Sequence, residues 1–184
     1  MTGGGLSGRP LPPTLAREGA AMLGALLADL AAVPGLDVVA TLDPRSRLRT
    51  PPGVAAVRLP PARAAAVLRR LIREADAVWL IAPETDGILA RLAARVEAEG
   101  RRVLGPGAAA IRRAADKAAL RRRLAAAGVA VPPARVLHRA ADPYAVAAEI
   151  AYPVVVKPWR GAGCGGVGLA RDPAGFVRAV SLAR

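Results

Sequence analysis

Of the 27 basic residues in this chain, only Lys117 and Lys157 are lysines, and both stand where an anion could be held. Lys117 follows Asp116. Lys157 ends the apolar run Val154-Val155-Val156 and is followed by Pro158, Trp159, Arg160 and a glycine-rich stretch. In that stretch Gly161, Gly163, Gly165, Gly166 and Gly168 fill five of the eight positions 161–168. Such a loop allows close backbone approach and lets successive N–H groups face phosphate oxygens. An ammonium is a compact charge that can point at one oxygen between neighbouring groups, whereas a guanidinium is a broad planar fork. Strand, cation and flexible loop in that order suit a polyphosphate. One ammonium at contact distance is worth about 1 kcal/mol in bulk water and several in a partly dry cleft. Each feature taken singly has a plainer reading. A lysine at a strand end is usually solvated, Asp116 is an ordinary helix cap, and the glycine stretch is a hairpin turn.

Other chemistry-bearing residues are sparse. Glu84 and Asp86 follow an apolar strand and precede a helix, so they either face a substrate amine at the carboxyl end of a strand or favour the helix N-terminus through its dipole. Cys164 has no assignable general base and reads as a small filler. The single histidine, His138, reads as a surface or strand-end residue, and Arg112, Arg113 and Arg121 to Arg123 as a solvated helix face. One cysteine and one histidine rule out an internal disulfide and clustered zinc ligands. No protein metal ligands are assigned.

These residues need a scaffold, and the hydrophobic pattern supplies one. A helical period runs through Leu15 to Val33 and stops at Pro34-Gly35. Val38 to Leu42 and the weaker Val54 to Leu59 read as strands, with a loop rich in Pro and Arg between them. A helix is predicted over Ala62 to Glu74. The nearly continuous apolar run Asp76 to Ala82 then reads as a strand covered on both faces. A helix over Asp86 to Glu99 and a short strand at Arg102 to Leu104 complete an alternation that predicts a doubly wound, parallel α/β domain. Beyond it the pattern predicts one helix over Ala108 to Ala127, strands at Arg135 to Leu137 and Pro153 to Lys157, and a helix at Pro143 to Ile150 between them. A last strand at Val167 to Leu169 precedes a helix from Pro173. The expected organisation is a flexible N-terminus at 1–13, an α/β domain at 14–113 and a smaller α+β unit carrying the glycine loop at 114–184.

The composition narrows the function classes. At 184 residues and 53% apolar, the chain can build a sizeable core. Without a membrane-length apolar run or a signal-peptide pattern at its start, it is expected to be cytoplasmic. The net charge of +13 raises nucleic acid as a partner, but arginines are spread along the whole chain and aromatic residues make up only 3%. Few rings are available for base stacking, so nucleic acid is disfavoured.

The order Gly105-Pro106, Asp116-Lys117, Gly128 to Pro132, Tyr152 to Pro158 and then the glycine loop resembles the ATP-grasp superfamily of carboxylate-amine ligases, over roughly residues 76–172. The resemblance implies an N-terminal pre-ATP-grasp α/β domain followed by a lid subdomain. It also implies ATP as ligand, with Lys117 and Lys157 on its phosphates from opposite sides and the loop closing over them. Such enzymes convert a carboxylate to an acyl phosphate, from which an amine displaces phosphate. Glu18 to Leu23, Leu42 to Arg45 and Trp79 to Leu89 are similar, more narrowly, to the tyramine-glutamate ligase group, which serves the building of methanofuran-type one-carbon carriers. One departure is Arg160, where an acidic residue is expected.

The superfamily resemblance also implies magnesium held by late carboxylate and asparagine ligands. The sequence contains no asparagine, and Asp172 is the one acid after the glycine loop. The expectation is therefore an ATP-grasp domain incomplete at its C-terminus and inactive as this chain alone, with a homodimer or a complementing polypeptide as possible partners. A non-catalytic regulatory α/β module and a basic nucleic-acid binder stay open as other classes.

Overall fold

The computed structural model describes residues 10–11, 13–161 and 164–184. The predicted flexible segment 1–13 lies mostly outside the described residues, as does Gly163. The chain divides into two compact units, one of residues Met1–Ala82 and Leu92–Gly105, the other of Pro83–Arg91 and Pro106–Arg184.

The first unit begins with α1, Pro13–Ala31. Its Leu23 and Leu27, one helical turn apart, pack on Val38, Ala40 and Val54. Strand β1, Val39–Leu42, pairs in parallel with β2, Ala55–Arg58, in the register Val39↔Ala55 to Leu42↔Arg58. A 3₁₀ turn, Pro61–Arg63, leads into α2, Ala64–Glu74. Strand β3 is Ala77–Val78, helix α3 is Ile88–Ala98 and strand β4 is Arg102–Val103. β3 and β4 are parallel, extended by the bond from Leu104 N–H to the Val78 carbonyl at 2.9 Å. In the half of α3 that belongs to this unit, Ala93 and Val96 are fully buried.

The α/β class with parallel pairing is as expected, and the hydrogen-bonded ladders are two-stranded. The run Asp76 to Ala82 departs from its reading. Only Ala77 and Val78 join a ladder, and Trp79 is 53% exposed, so the run is not a strand covered on both faces. Its apolar composition signals burial, but β4 is its single ladder partner among the described residues.

In the second unit, α4, Ala108–Ala115, and α5, Lys117–Ala126, replace the single helix expected over Ala108 to Ala127. The break is at Asp116, whose backbone is extended and whose side chain accepts a hydrogen bond from Ala119 N–H at 2.8 Å. Aspartate gains more as a cap than as an interior helical residue, because its short acceptor competes with the helical backbone bonds. The same device starts α6, Pro143–Glu149, and α7, Pro173–Ala183, each with an Asp cap and Pro in the first helical position.

Strands β5, Val154–Val156, and β6, Gly168–Ala170, form an antiparallel hairpin with Val156 opposite Gly168. The glycine-rich stretch is therefore the connection of a hairpin. Ala147, Ala170, Phe176 and Val180 form the core under it. The strand expected at Arg135 to Leu137 joins no ladder. Leu137 instead packs against that core while Arg135 pairs with Glu149 at 2.9 Å, so side-chain contacts anchor the segment. Among the described residues no helix is long and apolar enough to cross a membrane.

Candidate functional site

Lys117 is the first residue of α5, and two bonds tie it to the hairpin connection. Its backbone N–H donates to the Trp159 carbonyl at 3.4 Å, and its ammonium Nζ donates to the Gly161 carbonyl at 2.9 Å. Asp116 adds to the junction. The Ala119 N–H holds its carboxyl below the ordinary carboxylate value, against partial burial, and a hydrogen bond from the Trp159 side chain and the charges of Arg160 and Arg122 act in the same direction. Arg160 Nη2 lies 3.9 Å from Asp116 Oδ2. A carboxylate at position 160 would stand near Asp116 as a like charge.

A cavity of about 330 Å³ opens beside this junction, within the second unit. Glu84, Lys117 and Gly161 line it together, over an apolar floor that includes Leu89, Pro106 and Ile111. Three residues singled out by sequence thus share one cavity, with a carboxylate and an ammonium on its wall. An apolar pocket with a few convergent polar groups is the usual form of a small-molecule site, and roughly 300–1,000 Å³ is the usual size.

The other candidates stand elsewhere. Asp86 is exposed in the 3₁₀ turn Thr85–Gly87 with a left-handed φ of 54°, and its carbonyl accepts from the Arg91 guanidinium. Lys157 follows β5 and is exposed, with no hydrogen bond or ion pair to its side chain among the described residues. Gly165 is exposed in the turn next to the exposed thiol of Cys164. Gly166 has a φ of +68°, and a Cβ there would meet the Leu182 carbonyl and the Pro158 ring at 2.9 Å. A Cβ on Gly168 would lie 2.9 Å from the Ala179 Cβ, so this glycine is required for packing of the hairpin on α7. His138 is exposed, as expected.

Two features escaped the sequence reading. The docking of Trp159 and Arg160 on Asp116 had a signal in the Asp-Lys pair, but its partner lies about 40 residues away and spacing alone does not reveal it. Asp43 is fully buried and bound by Arg45, although it falls in a stretch read as a Pro- and Arg-rich loop.

Residues 36–111 match a pre-ATP-grasp domain family, pre ATP-grasp 3, and residues 116–184 match the carbamoyl-phosphate synthase L chain, ATP binding domain. These matches support the ATP-grasp superfamily. The second match begins at Asp116, the residue that breaks the helix between α4 and α5. The ATP binding domain match implies ATP as a ligand. Among curated proteins, an uncharacterized protein of Sinorhizobium fredii, y4rH, is 50% identical over 68 residues, covering 37% of this chain. The chain spans 14% of that protein's length.

Magnesium ordinarily accompanies ATP and requires oxygen ligands held together. Among the described residues no group of three or more His, Cys, Asp or Glu could hold a metal ion, so these residues do not fit a magnesium site and no step is assigned to one.

Proposed function

We propose that this chain supplies the phosphate grip and lid loop of an ATP-dependent carboxylate-amine ligase. In that reaction a substrate carboxylate oxygen attacks the γ-phosphorus of ATP, giving an acyl phosphate and ADP. An amine nitrogen then attacks the acyl carbon and the C–O bond to phosphate breaks. In this reading Lys117 and Lys157 neutralise the polyphosphate, and the loop from Gly161 to Gly168 covers it through Gly161, Gly163, Gly165, Gly166 and Gly168. Glu84 and Asp86 face the amine. Glutamate and tyramine are the substrate pair favoured by the likeness of Trp79 to Leu89 and Leu42 to Arg45 to the tyramine-glutamate ligase group.

The observation that supports this reading is the bond from Lys117 Nζ to the Gly161 carbonyl, on the wall of the cavity that Glu84 shares. This bond has a charged donor, and such bonds contribute a net of about 1.5–3 kcal/mol. A phosphate anion at contact distance has a Coulomb attraction of about 4 kcal/mol for one ammonium in a protein-surface dielectric, before desolvation, and ATP offers several such oxygens. ATP would therefore take Lys117 from Gly161 and free the loop to close on the nucleotide.

The test reads binding. Trp159 sits in the loop and Trp79 is the chain's other tryptophan, so a Trp79→Phe background isolates the Trp159 fluorescence. ATP should shift that emission, and Lys117→Met should weaken ATP binding about tenfold, or ~1.4 kcal/mol. Lys157→Met should do the same. Equal ATP affinity in the parent and both methionine variants would overturn the reading, as would no response at millimolar ATP.

A further inference from the structure

The break at Asp116 leaves a second, open surface cleft in the same unit, of about 390 Å³, lined by Ala109, Arg112, Arg113, Asp116, Ala119 and Arg123. It shares no lining residue with the cavity of Lys117 and Glu84. Ala109, Arg112 and Arg113 are spaced at i, i+3 and i+4 on α4, and Asp116, Ala119 and Arg123 at i, i+3 and i+7 along α5, so each set occupies one helix face. The two alanines are small and leave room between the longer side chains.

The charge of this cleft is unbalanced. Arg45, Arg70, Arg73 and Arg135 each have a carboxylate oxygen within 3.0 Å. Arg112, Arg113 and Arg123 have no ion-pair partner among the described residues. The one acid in the wall, Asp116, already accepts from Ala119 N–H and faces Arg160. All three arginines are exposed, and an oxyanion placed beside them can accept charge-assisted, bidentate hydrogen bonds from their guanidiniums. No aromatic residue lines the cleft, so it offers no ring on which a base would stack.

We propose that this cleft is a second anion site that binds a compact phosphate-type oxyanion, independently of the Lys117 cavity. The phosphates can belong to a free inorganic oligophosphate or to a nucleotide. Nucleic acid, as an extended polyanion, is the competing occupant.

Titration of the full chain with inorganic tripolyphosphate at physiological salt tests this, in a Lys117→Met/Lys157→Met background that lacks both lysines of the proposed nucleotide grip. Arg112→Ala, Arg113→Ala and Arg123→Ala combined should weaken binding about tenfold or more, the loss expected for charge-assisted bonds. Alanine keeps both helices intact because it is the best helix former. A charge-matched control, Arg47→Ala, Arg49→Ala and Arg63→Ala, should change affinity by less than about threefold, since it alters only the diffuse field of the protein. ATP binding no more tightly than tripolyphosphate would place the recognition in the phosphates alone. Tighter ATP binding, lost in the Arg112/Arg113/Arg123 variant, would make a nucleotide the source. An equal loss in the control would overturn the proposal in favour of net charge. A single-stranded oligonucleotide that displaces tripolyphosphate and depends on the same arginines would overturn it in favour of nucleic acid. Because both lysines of that grip are already absent, failure of this site and failure of the ATP reading give different results.

Discussion

The segments that follow β1 and β5 both carry charge at the end of a strand, but they hold it in opposite ways. After β1, the Asp43 side chain is fully buried and accepts from Arg45 N–H at 2.9 Å, Arg45 Nε at 2.8 Å and Arg45 Nη2 at 2.9 Å. Arg58 Nη1 donates to the carbonyls of Asp43, Pro44 and Ser46. Those side-chain charges are consumed in building the turn. After β5, Lys157 is exposed, Arg160 stands 3.9 Å from its acid, and the Lys117 ammonium meets only a neutral carbonyl. A charge held by an opposite charge in a buried place shapes the chain, whereas one held loosely at the surface is available to a ligand.

The contrast breaks first, and by the largest margin, at Asp43. Asp43→Ala would leave the Arg45 donors without their acceptor, and unfolding in urea should register a loss of about 2–3 kcal/mol, with ATP affinity of the folded fraction unchanged. The pH dependence follows from the Arg45 hydrogen bond, which holds the Asp43 carboxyl below its ordinary value of 3.8 against the effect of burial. A lowered folded value means the contribution is fully present above the ordinary value and is lost as pH falls through the folded one. Asp43→Asn should therefore flatten the acid limb of the stability profile below about pH 4. A limb of unchanged slope would mean that other carboxylates set it.

A smaller effect sharpens the comparison inside the hairpin, where glycines serve two ends. Gly168→Ala places a Cβ 2.9 Å from the Ala179 Cβ, and overpacking of this kind costs about 1–3 kcal/mol. Combining it with Ala179→Gly should restore part of that loss, read as a favourable coupling in a double-mutant cycle. If the stable double variant also binds ATP as the parent does, Gly168 is a packing residue. If it folds but binds poorly, the glycine has a part in the nucleotide site as well.

Much of the scaffold was legible because it rests on local signals. Helices were expected from Pro143 and from Pro173, where α6 and α7 begin, and the apolar period through Leu23 and Leu27 marked α1. What the sequence concealed depends on partners distant along the chain. Trp79 to Ala82 looks buried by composition, yet strand coverage is decided by neighbours that composition does not name. Arg135 to Leu137 has a strand's residues but gains a salt bridge and a core contact in place of a ladder. In the site, Lys117 and Gly161 were expected on one nucleotide and Glu84 on a substrate, and all three line one cavity. Arg112, Arg113 and Arg123 were read as a solvated face, and all three are exposed. The break at Asp116 places them along an open cleft as well.

Asp116 is where the comparison can be probed most finely, because it combines a structural bond with a loosely held charge. Asp116→Asn keeps a side-chain oxygen for Ala119 N–H and removes the charge facing Arg160. Asparagine and aspartate are about equally good caps, so thermal stability near neutral pH should hardly move. Asp116→Ala removes the cap as well, and Tm should fall on the order of 2–4 °C. The folded carboxyl value is lowered, chiefly by the Ala119 N–H, so whatever stability the charge adds is present above the ordinary value of 3.8 and fades as pH drops through the folded one. If Asn matches Ala rather than the parent, the Arg160 and Trp159 contacts with the charged carboxylate matter more than the cap, and the loop is docked by charge. If Asn matches the parent, the cap is the working bond. In the proposed ATP reading, Arg160 would then be free to turn toward a phosphate.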